Sequence, residues 1–125
     1  YEVYIENDSR RAISAVKHIQ PDLVLLEVMM PHIDGNEIAQ QLKDDIETRD
    51  IKYLFLSSIV TRADTRENGH TIGGNYFLSK PVKIDVLKEA IWAVIHVVGK
   101  LLVIPSTNRW HFAIKRPSII PINAD

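Results

Sequence analysis

The chain has 125 residues, of which 46% are hydrophobic and 25% charged, and this balance fits one compact domain with a sizeable core. Its formal net charge of −1 argues against a protein that binds nucleic acid or anionic membranes by electrostatics alone. The absence of cysteine excludes disulfide frameworks, thiolate nucleophiles and cysteine-based zinc sites, and it agrees with a reducing, cytoplasmic setting.

The first half of the chain alternates short apolar runs with helical periodicity, which is typical of a parallel sheet covered by helices. Tyr1 to Ile5 is predicted to be a strand, and a helix capped by Asp8 or Ser9 follows and ends at Pro21. Leu23 to Val28 is apolar nearly throughout, as a strand buried on both faces should be. A second helix opens at Gly35, and its predicted buried positions are Ile38, Ala39, Leu42 and Ile46.

The second half continues this alternation less regularly. Tyr53 to Leu56 and Tyr76 to Leu78 are predicted to be strands. Between them the periodicity nearly vanishes, and we expect a short or mobile helix between Thr61 and Ile72. The last helix is expected to end at Gly99, and its surplus apolar residues, Trp92 among them, predict a contact surface.

The end of the chain is predicted to form a separate extension, residues 99–125, after a domain of residues 1–98. Two short strands are expected in this extension, Lys100 to Ile104 and the alternating run from Trp110 to Ile114. The longest apolar stretch, Ala90 to Val98, falls short of the ~20 residues that a membrane-spanning helix needs. We therefore expect no membrane association.

Three separated groups of residues carry a family resemblance. The first is Leu25-Leu26-Glu27-Val28-Met29-Met30-Pro31 followed by Asp34-Gly35, the second is Ser57 at a strand end, and the third is the segment from Gly73 to Lys80-Pro81. In this order they resemble the receiver domains of response regulators in two-component signalling, over residues 1 to about 98. The resemblance implies an α/β, flavodoxin-like, doubly wound parallel sheet in three layers.

The resemblance also implies roles for individual residues. Glu27 takes the position of the phosphoacceptor, where the family has aspartate. Ser57 and Lys80 are expected to contact a phosphoryl group, Ser57 and Phe77 to act as switch residues, and the Lys80–Pro81 bond to be cis. The implied loop and turn positions are Pro31, Gly35 and Pro81. We expect Glu27 to pair with Lys80, because an unpaired charge at the end of a buried strand is costly.

Phosphorylation in this family is metal-assisted, with Mg²⁺ held by several acidic groups. Glu27 is one methylene longer than aspartate, and a misplacement of ~1 Å can cost on the order of 10²-fold in rate. The family's acidic pair follows a first strand that this sequence lacks, together with the first helix. We therefore expect no cofactor and no metal ligand except the Met29 backbone carbonyl, unless residues outside this sequence supply the pair.

The missing first strand also has a structural consequence. In the family's strand order 2-1-3-4-5 that strand is central, so its loss leaves backbone groups unpaired at ~1–3 kcal/mol each when buried. Lys100 to Ile104 resembles a receiver first strand, and we predict that it fills the vacated position, in its own chain or by exchange with a partner. Pro105-Ser106 follows it, where the acidic pair would be.

The sequence therefore predicts a degenerate receiver domain that works as an interaction module of a phosphorelay and is not an enzyme. A sensor kinase or an output domain is the expected partner, and residues 61–98 or the extension are the expected surfaces of a homodimer. One alternative is an intact, phosphorylatable regulator whose first strand and acidic pair lie outside this sequence. Another is a flavodoxin-like nucleotide or flavin binder, which the lack of a glycine-rich phosphate loop disfavours.

Overall fold

A computed structural model describes residues 1–57, 68–72, 75–96, 99–105 and 119–121. The strands in these ranges are β1 (Glu2–Ile5), β2 (Leu23–Glu27), β3 (Lys52–Ser57), β4 (Asn68–Ile72), β5 (Asn75–Ser79), β6 (Lys100–Ile104) and β7 (Ile119–Pro121). The α-helices are α1 (Ala12–Ile19), which follows a 3-10 turn at Ser9–Arg11, α2 (Gly35–Asp44) and α3 (Ile84–Ile95).

The strands form one sheet in the order β4-β5-β3-β2-β6-β1-β7. Every neighbouring pair is parallel except β4 and β5, which are antiparallel. β6 lies between β1 and β2, with Leu101 beside Val3 and Leu102 beside Val24. The prediction that this strand fills the vacated central position is therefore confirmed, and it does so within its own chain. The division into residues 1–98 and 99–125 stays a prediction.

Helices cover the sheet on both faces, because alternate residues of each buried strand point to opposite sides. On one face the apolar side of α3, with Leu87 and Ile91, packs with strand residues Leu25 and Val103. On the other face α1 and α2 pack with Leu26 and Leu102. The three-layer flavodoxin-like arrangement predicted from the sequence is confirmed.

The start of β6 is held by both of its neighbours. Asp22 donates its backbone N–H to the Lys100 carbonyl (3.0 Å), and its Oδ2 accepts from the Lys100 N–H (2.8 Å). From the other side, the Glu2 N–H donates to the Gly99 carbonyl (3.0 Å). A Cβ on Gly99 would overlap the carboxylate of Asp22. With the Asp22 side chain in its present orientation, this contact therefore requires glycine.

Two helices end on non-glycine residues in the left-handed region. Gln20 (φ 50°) ends α1 and His96 (φ 53°) ends α3, and their N–H groups donate to the carbonyls of Val16 and Trp92. α3 therefore ends before the predicted end at Gly99. A single left-handed residue satisfies a carbonyl of the last turn and stops the helix.

Some sequence expectations were wrong. Ile46 is 75% exposed, because α2 ends at Asp44 and Ile46 no longer lies on its buried face. Asn68–Ile72 is a strand paired with β5, where we expected part of a short helix. The rest of that expectation, at residues 61–67, and the strand predicted from Trp110 to Ile114 lie outside the described residues.

Candidate functional site at the carboxyl ends of the strands

Glu27 and Lys80 meet at the carboxyl edge of the sheet. Glu27 is the last residue of β2, and Lys80 follows the last residue of β5. β3 separates these two strands and ends at Ser57, which is paired with Ser79. Because parallel strands bring their carboxyl ends to one edge, residues 27, 57 and 80 come together although they are far apart in the sequence.

The carboxylate of Glu27 forms an ion pair with the ammonium of Lys80. The two side chains are 9% and 17% exposed, so water screens their attraction far less than at an exposed site. Removing both groups from water is costly, and each compensates the charge of the other. The pair predicted from the sequence is present.

Backbone contacts fix Lys80 beside the end of β3. Its N–H donates to the carbonyl of Ser57 (2.9 Å), and the Lys80–Pro81 bond is cis, as the resemblance implies. Ser57 is buried, with 3% of its surface exposed. The phosphate-contacting roles of Ser57 and Lys80 stay predictions.

The loop after β2 is held close to Glu27. The Gly35 N–H donates to the Val28 carbonyl (2.9 Å), and the Val28 N–H donates to Leu56 (3.1 Å). A Cβ at Gly35 would overlap the backbone carbonyl of Glu27, so only glycine fits this close approach. Asp34 caps α2 through its Oδ1, which accepts from the Glu37 N–H (2.9 Å).

Ser9 is a positioning residue that the sequence reasoning missed. It is 5% exposed, and its hydroxyl donates to the Pro31 carbonyl (2.6 Å) and accepts from the Ile33 N–H (3.3 Å). Ser9 thereby ties the 3-10 turn before α1 to the loop after β2, in which His32 has a φ of 72°. From the sequence, Ser9 was considered only as a helix cap, and no local pattern signals its contact with the loop after β2.

Phe77, the predicted switch aromatic, is half-buried in the layer that contains α1 and α2. Its ring stacks on Phe55 with a centroid distance of 4.9 Å and an interplanar angle of 22°. An offset stack of this kind adds about 1 kcal/mol to the burial of two rings. Phe77 is thus part of the core in this structure, and its switch role stays a prediction.

The described residues do not fit a Mg²⁺ site. Among the described residues there is no group of three histidine, cysteine, aspartate or glutamate side chains that could hold a metal ion. Glu27 is bound to Lys80, and the residue that follows β6 is the buried Pro105, which has no carboxylate. Met29 offers only its backbone carbonyl, so a dication that needs several oxygen ligands has too few here.

A second group of charges lies at the same edge, after β1. Glu6 is 3% exposed, accepts from the Asp8 N–H (3.0 Å) and lies 3.5 Å from a guanidinium nitrogen of Arg11. Arg10 binds Asp8 through two nitrogens, each at 3.0 Å. The side-chain hydrogen bond from Arg10 is the main cause that lowers the pKa of Asp8 to about 2. Asp8 was predicted from the sequence only as a helix cap, which it is for the 3-10 turn, and Glu6, Arg10 and Arg11 were not singled out.

Comparison with known proteins settles the family. The model described as the response regulator receiver domain matches residues 1–92. This chain belongs to the response-regulator receiver family. Residues of this receiver domain are 38% identical over 82 positions to the response regulator PleD of Caulobacter vibrioides, a match that covers 66% of this chain and 18% of PleD.

One further relative and one solved structure are also similar to this chain. The polar-differentiation response regulator DivK of Brucella anthropi is 28% identical over 91 residues, which cover 73% of each chain. The crystal structure of a response regulator from Desulfuromonas acetoxidans covers 74% of this receiver domain and 95% of that chain, with a TM-score of 0.51 and 21% identity, and supports the fold alone. Among the described helices, none has the length and apolar composition to cross a bilayer.

Proposed function

We propose that this receiver domain is a signalling and interaction module of a cytoplasmic two-component phosphorelay and that it is not phosphorylated in the usual way. The observation that carries the proposal is the ion pair between Glu27 and Lys80. Glu27 stands at the position of the phosphoacceptor, and Lys80 stands at the position of the lysine expected to bind the phosphoryl oxygens. Each of these two charges is already compensated by the other.

The chemistry of phosphoryl transfer argues for this proposal. An attacking carboxylate must present a free oxygen in line with the leaving group, and the longer side chain of Glu27 places its oxygens differently from those of aspartate. An oxygen bound to an ammonium is a weaker nucleophile, because its electron pair is shared with a proton donor. The described residues also offer no acidic cluster that would bring Mg²⁺ to the transferred group.

Within this proposal the Glu27–Lys80 pair takes the place of a contact between a phosphoryl group and the lysine. The acidic charge is permanent, so the module holds one state instead of cycling between two. The stacking of Phe77 on Phe55 supports a single packed arrangement of the switch position.

The partner-binding surface in this proposal is the outward face of α3. Val86 and Trp92 are exposed large apolar side chains on this helix, at 39% and 52%. A sensor kinase, an output domain or a second copy of the chain would cover them, since exposed large apolar side chains favour docking. The surface predicted from the sequence was residues 61–98 or the extension, and residues 61–67, 73–74 and 97–98 lie outside the described residues.

The retained Lys80 and Ser57 favour one alternative, an intact phosphorylatable regulator whose acidic pair lies outside this sequence. Incubation with acetyl phosphate and Mg²⁺, followed by intact mass measurement, separates the two readings. Our proposal predicts an unchanged mass for this chain and for a chain extended by its upstream residues. The alternative predicts a gain of one phosphoryl group once the upstream residues are included.

A further inference from the structure

A crevice with a volume of about 290 Å³ opens beside the carboxyl end of β6, between the segments that follow β1 and β2. Asp8, Arg10 and Arg11 line one side, His32 lines the other, and Pro105 lies at the end of β6. Ser9, which also lines it, fixes the relative position of the two sides through its bond to the Pro31 carbonyl. The two sides of the crevice are thus held in place at the carboxyl edge of the sheet, and the crevice is distinct from the Glu27–Lys80 pair.

The charges of the crevice are arranged with the cations outward and the anions inward. The Arg10 and Arg11 side chains are 61% and 57% exposed, whereas those of their partners Asp8 and Glu6 are 28% and 3% exposed. Each guanidinium group is paired with a carboxylate that is more deeply buried than itself, and of these two carboxylates only that of Asp8 lines the crevice. An approaching ion therefore meets positive charge first.

The donors of this lining match an oxyanion. A guanidinium has five N–H donors, and Asp8 takes two from Arg10, so three remain for a ligand. Arginine binds phosphate in a bidentate way and is less strongly hydrated than lysine, and His32 is exposed on the opposite side. The volume is close to the lower end of the range for small-ligand pockets, about 300 Å³, so the crevice has room for a phosphate group and for part of a molecule that carries it.

We propose that this crevice binds a phosphate-class oxyanion, as the free ion or as a monoester, in the part of the edge where the family resemblance implies a cation. The inference goes beyond the proposed function, because non-covalent binding in the crevice does not depend on whether Glu27 accepts a phosphoryl group.

The test is a titration of the full chain with inorganic phosphate, with phenyl phosphate as a monoester and with Mg²⁺, at constant ionic strength. Nuclear magnetic resonance follows the imidazole signals of His32 in the crevice and of His18 on α1, outside it. We expect saturable shifts at His32 with both phosphates, no saturable shift with Mg²⁺, and no shift at His18. Tighter binding of phenyl phosphate would identify a monoester site, and equal binding would identify a site for the free ion.

Two arginine variants provide the matched comparison. Arg10→Gln leaves the Arg11–Glu6 pair in place and should weaken phosphate binding about tenfold, the loss of one charge-assisted contact. Arg49→Gln removes an exposed arginine outside the crevice and should change the affinity less than about twofold. The absence of a saturable response in the unaltered chain, or equal losses in the two variants, would overturn the proposal.

Discussion

Glu27 and Lys80 form an ion pair across β3, from strands that are two positions apart in the sheet. The substitution Glu27→Gln leaves the Lys80 ammonium largely buried without its counter-charge. We expect it to lower the free energy of unfolding by about 3 kcal/mol, as measured by urea denaturation. The control is Asp45→Asn, which removes a carboxylate 2.7 Å from Lys17 at the surface.

The control pair should contribute less than about 1 kcal/mol, because its side chains are 28% and 39% exposed and water screens their attraction. Equal losses in Glu27→Gln and Asp45→Asn would contradict the account of Glu27 as one member of a buried pair.

Gly35 is expected to tolerate no side chain. Gly35→Ala would drive its Cβ into the Glu27 carbonyl oxygen, which belongs to the backbone and cannot rotate away. We expect a loss of about 2 kcal/mol in thermal or denaturant unfolding. Gly99→Ala is the comparison, because its Cβ meets the Asp22 side chain, which is able to turn aside. A smaller cost at position 35 than at position 99 would be inconsistent with this packing.

β6 is expected to be essential to the domain because it joins β1 and β7 on one side to the other four strands of the sheet. Leu102 is 0% exposed and is paired with Tyr4 on one side and Val24 on the other. Leu102→Ala should cost about 3 kcal/mol of unfolding free energy, the effect of a cavity in a tight core. Ile46→Ala, at a position that is 75% exposed, should cost less than about 0.5 kcal/mol. Similar values for both would show that β6 is not part of the cooperative core.

Asp8 is expected to titrate well below an ordinary aspartate. The hydrogen bond from Arg10 lowers its pKa from 3.8 to about 2, so the folded state binds this proton more weakly than the unfolded chain does. The resulting stabilisation is fully present above pH 3.8 and is lost as the pH falls toward 2. A pH titration followed by the carbon-13 NMR signal of the Asp8 carboxyl should give a midpoint near pH 2, and Arg10→Gln should raise this midpoint. A midpoint that is the same in both proteins would rule out the pairing.

Much of the fold was predictable, because the apolar runs that form β2 and β6 are buried on both faces and therefore leave an unambiguous pattern. The central position of β6 was predicted from the resemblance of Lys100 to Ile104 to the first strand of a receiver domain. The helix ends were not predictable, since Gln20 and His96 adopt left-handed conformations for which glycine is the usual signal. β4 was missed because Asn68–Ile72 contains Asn-Gly, which favours turns, and has no period-2 apolar pattern.

The candidate site was predictable where the residues follow strands. Glu27, Ser57 and Lys80 each end or follow an apolar run, so parallel pairing brings them to one edge. Ser9, Glu6 and the two arginines were not predicted, because their partners are set by the paths of loops rather than by periodicity. The hydroxyl of Ser9 bonds a carbonyl 22 residues away, and no local pattern encodes such a contact.

The central claim is that Glu27, bound to Lys80, is not a phosphoacceptor. The most direct measurement is the intact mass of the chain after incubation with acetyl phosphate and Mg²⁺ at neutral pH, beside a receiver domain that has aspartate at this position. The account predicts that the aspartate protein gains one phosphoryl group and that this chain gains none. A phosphoryl gain in this chain that disappears in Glu27→Gln would contradict it.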